Sequence, residues 1–86
     1  MTAEERVTEQ IMLAVRTSRG VGVEMVARAA QLDEGVGVDE SYQVARDRLR
    51  LLVDEGLMES KSDEVWTLTL QGRLLADLVT RRLLGW

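Results

Sequence analysis

The chain contains neither cysteine nor histidine. Without a thiol it has no disulfide, no thiolate nucleophile, no iron–sulfur ligand and no cysteine zinc site of its own. Without an imidazole it lacks the usual general base at neutral pH and the commonest metal and haem ligand. The expectation is therefore no catalytic, cofactor-binding or metal-ligating residue in this stretch, and no enzyme activity from it alone. Long apolar runs are missing too. No stretch of about 18 apolar residues occurs, so no membrane span is expected. Positive charge is in short supply: eleven basic residues face fifteen acidic ones, for a net charge of −4. A chain that holds nucleic acid mainly through phosphates needs a basic surface, so nucleic acid is not the expected partner. Met1 to Arg6 is acidic and polar, unlike a secretory signal, which makes the cytoplasm the expected compartment.

What is there suits one small folded unit. The 86 residues and 9.7 kDa allow a single domain, read as spanning residues 1–86. Apolar residues make up 45% and charged residues 30%, a mix that folds rather than stays disordered. Thr2 and Glu5 form a capping-box pattern, and Val7, Ile11, Ala14 and Val15 follow at helical spacing, predicting a first helix over Ala3–Thr17. Gly20 and Gly22 read as a turn. A second helix is predicted over Val23–Gln31, with Val23, Val26, Ala27 and Ala30 on its apolar face. A third begins at Asp39 or Ser41 and runs to Glu55, with Tyr42, Ala45, Leu49, Leu52 and Val53 inward and Gly56 as its left-handed end.

The pattern then changes. Leu57–Ser60 and Val65–Leu68 flank a polar turn and predict a minimal β-hairpin. Leu57, Trp66 and Leu68 are the expected anchors that lean it on the helices. Thr69 caps a last helix over Leu70–Leu84, whose leucines and Val79 form a stripe broad enough to serve a second surface. The expected fold class is mainly α with a small β-hairpin, in the order helix, helix, helix, hairpin, helix: the plan of a winged helix-turn-helix.

Two blocks of sequence carry a resemblance. One is Glu9–Thr17, with Met12-Leu13-Ala14-Val15-Arg16 its distinctive part, followed by Gly20-Val21. The other is Gly56-Leu57-Met58-Glu59 and then Leu68-Thr69-Leu70-Gln71-Gly72-Arg73-Leu74-Leu75-Ala76-Asp77. Together they resemble the C-terminal domain of oxygen-independent coproporphyrinogen III oxidase-like radical-SAM proteins, and within that family the haem chaperone branch. Ala14 stands where the family has glycine, and Asp77 where many relatives have asparagine. The resemblance implies a non-catalytic domain of a larger protein concerned with haem or porphyrin biosynthesis. Its iron–sulfur cluster and SAM, and in the chaperone branch haem, would be handled outside this chain, the first two by a preceding barrel, and no ligand for them carries over onto it. The implied partner is that barrel or another protein. Arg16 and Arg73 occupy motif positions and are candidate domain-interface residues; Leu75, Val79 and Leu83 are the apolar candidates, for a domain contact or for dimerisation.

Other features have plainer readings. Most of the acid pairs Glu4-Glu5, Asp33-Glu34, Asp39-Glu40 and Asp63-Glu64 fall at predicted helix starts or turns, where carboxylates cap and favour the dipole; Asp54-Glu55, at a helix end, is read as solvated. Gly20-Val21-Gly22 and Gly35-Val36-Gly37 follow no strand and lack a third glycine, so they are turns, not phosphate loops. Met12, Met25, Met58 and Tyr42 are read as core, although a thioether can ligate haem iron. A small DNA-binding regulator is the alternative function. Against it, the third helix carries five carboxylates to three arginines, and the hairpin tip has Lys61 among Glu59, Asp63 and Glu64.

Overall fold

In the computed structural model, which describes residues 1–86, Thr2 caps the first helix, α1 (Ala3–Val15). Its hydroxyl accepts from the Glu5 amide while the Glu5 carboxylate accepts from the Thr2 amide, completing the capping box. Strand β1 (Val21–Gly22) leads into α2 (Val23–Glu34), and α3 (Val38–Asp54) packs most extensively on α2. The hairpin β2 (Met58–Ser60) and β3 (Val65–Leu68) follows, and then α4 (Leu70–Leu74) and α5 (Ala76–Leu83). The fold is mainly helical with a three-stranded antiparallel sheet in the order β1-β3-β2.

One core holds these pieces together. Ile11, Val15, Val21, Val26, Ala45, Leu49, Leu52, Leu57, Met58, Trp66, Val79 and Leu83 are among its buried members. The helical faces read from spacing are the buried ones in α1, α2 and α3, and Leu57 and Trp66 anchor the hairpin as expected; Leu68 packs half-buried beside them. Deleting a large side chain here, such as that of Leu49, removes about 2–5 kcal/mol in comparable cores.

The structure departs from the sequence expectations at four places. Val21-Gly22 is a strand and not part of a turn: Val21 pairs with Trp66 and Gly22 with Val65. Two residues are too few for a period-2 signal, so only the partner strand reveals them. Gly20 makes the pairing possible, because its φ of +82° is open to glycine and a Cβ there would sit 2.3 Å from the Trp66 carbonyl oxygen. Helix α2 runs on to Glu34, ended by Gly35 in the left-handed conformation. Helix α3 starts at Val38 with Gly37 as its N-cap, so neither Asp39 nor Ser41 is the cap. Ser41 is instead fully buried, donating to the Val38 carbonyl at 2.6 Å and accepting from the Gln31 amide at 3.1 Å. Last, the helix expected over Leu70–Leu84 is two helices broken at Leu75 (φ −117°, ψ 32°). Helix α4 is seated on the hairpin side, whereas α5 returns to pack between α1 and α3, and one straight helix could not do both.

Two polar devices close the fold. Arg48 donates to Asp33 (2.9 Å), Glu34 (3.1 Å) and the Leu83 carbonyl (3.1 Å), tying α2, α3 and α5 with a side chain only 13% exposed. A planar guanidinium fork suits such a three-way contact where a lysine would not. Glu55, just beyond α3, pairs with Arg82 on α5.

Candidate functional site

The motif Leu68-Thr69-x-x-Gly72 is a structural clasp. The Thr69 hydroxyl donates to the Gly56 carbonyl at 2.6 Å and accepts from the Gly72 amide at 3.0 Å, while the Thr69 amide donates to the Leu57 carbonyl at 3.1 Å. Gly72 is pressed on the hairpin base so closely that a Cβ would lie 1.9 Å from the Leu57 carbonyl oxygen. This fixes which way α4 faces. At about 100° per residue, positions two before and two after Gly72 point to the opposite side. Those positions are Leu70 and Leu74, and they are 78% and 81% exposed. Arg73 is exposed at the edge of that outward face, at i+3 from Leu70.

Arg73 also lines a cleft of about 570 Å³. The end of α1 and the loop after it supply Val15, Arg16, Thr17 and Ser18; the sheet supplies Glu59, Lys61, Thr67 and Leu68; Arg73 and Ala76 complete it. In the register of the hairpin Glu59 stands opposite Thr67, so both share one face of the sheet. The cleft thus gathers three cations and one carboxylate within a chain of net charge −4. Arg16 donates to the Met12 carbonyl (3.0 Å) and to Asp77 (3.2 Å), and Lys61 pairs with Glu59 at 3.1 Å.

The structure brings two of the candidate interface residues together: Arg16 and Arg73 line the same cleft. The apolar candidates separate. Leu75 is 41% exposed at the helix break, but Val79 and Leu83 are fully buried in the chain's own core. They form no outer stripe because α5 turns inward after Leu75, and a dimer face built from them is unavailable in this fold. Sequence reasoning missed Leu70 as a surface residue, and Lys61, Thr17, Ser18 and Thr67 as cleft walls. The first was legible, since a glycine forced inward at position 72 forces positions 70 and 74 outward. The others depend on how a loop folds over a sheet.

The remaining candidates for chemistry are absorbed by structure. Glu4-Glu5 and Asp39-Glu40 lie in the first turns of α1 and α3, and Asp33-Glu34 holds Arg48. No three acidic side chains come together in a way that could hold a metal ion. The two hydrogen bonds with Thr2, that of its backbone amide foremost, hold the Glu5 carboxyl below the usual carboxylate range. Met58 is buried and Met25 and Tyr42 pack against the core, but Met12, read as core, is exposed. An iron–sulfur cluster does not fit the donor set of this chain, which offers no thiolate. No helix is long and apolar enough to cross a membrane.

The clasp, the small sheet and the outward face of α4 define a mainly helical domain whose exposed chemistry is a basic cleft beside bare leucines. The chain belongs to the HemN C-terminal domain family, which matches residues 1–75. That membership sets it in the coproporphyrinogen-oxidase-like, radical-SAM context, and both resembling blocks fall within the match except for their last two residues, Ala76 and Asp77. No curated protein and no solved structure matches it.

Proposed function

We propose that this domain is a non-catalytic accessory module of winged-helix type, serving a radical-SAM coproporphyrinogen-oxidase-like parent of the haem chaperone branch. It has no cofactor of its own and acts by docking on the preceding barrel or on a partner protein. The observation that carries this reading is the outward face of α4. Leu70 and Leu74 stand almost bare within the family match, held there by the Thr69–Gly72 clasp. Leucines exposed singly need no explanation, but two on one short helix, rigidly presented beside an arginine, suit a contact surface.

The internal commitments of α3 weigh against a DNA-binding regulator. Arg46 donates to the Asp63 carbonyl, and Arg48 is held by Asp33 and Glu34. Of the three arginines on that helix only Arg50 is left for a phosphate, amid acidic neighbours.

The coding sequence upstream of Thr2 tests the assignment. A continuous reading frame encoding a barrel with a Cys-x-x-x-Cys-x-x-Cys motif is expected. A stop codon there, with no such barrel encoded, removes it. Within such a parent, Leu70→Ser with Leu74→Ser should loosen the domain, read as faster proteolytic release of this module.

A further inference from the structure

We propose that the cleft and the adjoining face of α4 together receive an acidic, leucine-bearing segment of a partner polypeptide, with Arg73 as its carboxylate anchor. The inference rests on the docking role above and names the chemistry of what docks. Among the cleft cations, Arg16 and Lys61 already have carboxylates, whereas Arg73 makes no ion pair in this chain. Arg73 lines the polar cleft, and at about 100° per residue it falls between Gly72, on the hairpin side of α4, and the outward Leu70 and Leu74. A segment that buries apolar side chains on the leucines therefore brings its neighbouring carboxylates to Arg73. The guanidinium fork donates two parallel hydrogen bonds to a carboxylate.

The other cations can join in. Asp77, the partner of Arg16, is 83% exposed, and an ion pair so open to water is readily exchanged for an incoming carboxylate. Lys61 and Glu59 are both more than half exposed and just as free to re-pair. Charge selects the occupant. The chain as a whole carries a net charge of −4, so an acidic segment is attracted only when its carboxylates reach the cleft itself. A nucleic acid duplex carries a phosphate about every 1.7 Å along its axis and would set most of them beyond three cations, against a chain of net charge −4. A short peptide with a few carboxylates would not.

The test titrates the full chain against a fluorescein-labelled peptide of about ten residues in which two leucines are flanked by glutamates, the length of a short docking motif. Matched peptides carry glutamine or lysine in place of glutamate, and a short DNA duplex is the fourth probe. The glutamate peptide should bind, and the lysine peptide should not. Arg73→Glu should weaken the glutamate peptide about tenfold or more and admit the lysine peptide, while Arg73→Lys keeps part of the affinity. Lys61→Glu, on a different element, should weaken it in the same direction, which guards against a folding defect at position 73. Equal binding of the glutamine peptide, unmoved by Arg73→Glu, overturns carboxylate recognition and leaves docking through the leucines standing. Binding of no peptide overturns the proposal, while the upstream reading frame still decides the docking role. Duplex binding that Arg73→Glu abolishes overturns it in favour of a nucleic-acid site.

Discussion

A methyl group at position 72 separates two effects of opposite sign. On an ordinary helix, glycine to alanine gains about 0.8–1 kcal/mol from propensity. Here the new carbon would lie 1.9 Å from the Leu57 carbonyl oxygen, with no flexible side chain to yield. Forced overpacking of this kind costs about 1–3 kcal/mol, occasionally more, and outweighs the propensity gain. Gly72→Ala should therefore lower the thermal midpoint by several degrees, given about 4–8 °C per kcal/mol for a domain of this size. A raised midpoint would show that α4 does not sit on the hairpin base. The same residue explains why Leu-Thr-x-x-Gly was readable as a motif before its purpose was: Thr69 ties the helix start to Gly56, and Gly72 lets the helix lie down.

Among the elements, α1 shows local chemistry at its most legible. Thr2 and Glu5 announce its start in sequence, and both halves of the capping box form. Because the folded environment lowers the Glu5 pKa, the carboxylate supports α1 at any pH above its unfolded value. That support is lost as pH falls through the depressed folded value, below the ordinary glutamate range of about 4.3. A carboxyl-carbon NMR titration should place the Glu5 midpoint below the ordinary glutamate value, and Thr2→Ala, which keeps the backbone amide and removes the hydroxyl, should return it part of the way. An unmoved midpoint would mean that the box is open in solution. The helical faces of α2 and α3 were legible for the same local reason, apolar spacing. The break at Leu75 and the strand at Val21-Gly22 were not. Both are imposed from afar: the first by α4 and α5 packing on different neighbours, the second by Trp66 supplying the partner. The cleft inherits that difficulty, since its walls come from a loop, a sheet and a helix that meet only in the fold.

For the whole molecule, the decisive contrast lies along α4 and α5, where leucines and valine look alike in sequence and differ in fate. Val79 is fully buried and Leu74 is 81% exposed. A carboxylate at position 79 would be buried without a partner, at a cost comparable to much of the roughly 5–10 kcal/mol that holds such a domain together. Val79→Asp should abolish the cooperative urea transition. Leu74→Ser should leave it within about 0.5 kcal/mol of the parent chain, as surface changes do. Comparable losses from both would mean that the two positions share one environment. The pairing of Val21 with Trp66 has a consequence in time. On a ribosome, the first three helices emerge complete, yet the loop after the first of them stays unzipped until the tryptophan follows it out of the tunnel. Nascent chains stalled short of that point hold helices without a sheet, and Thr69 and Gly72, which come after the tryptophan, have not yet emerged to fasten the last helices upon it.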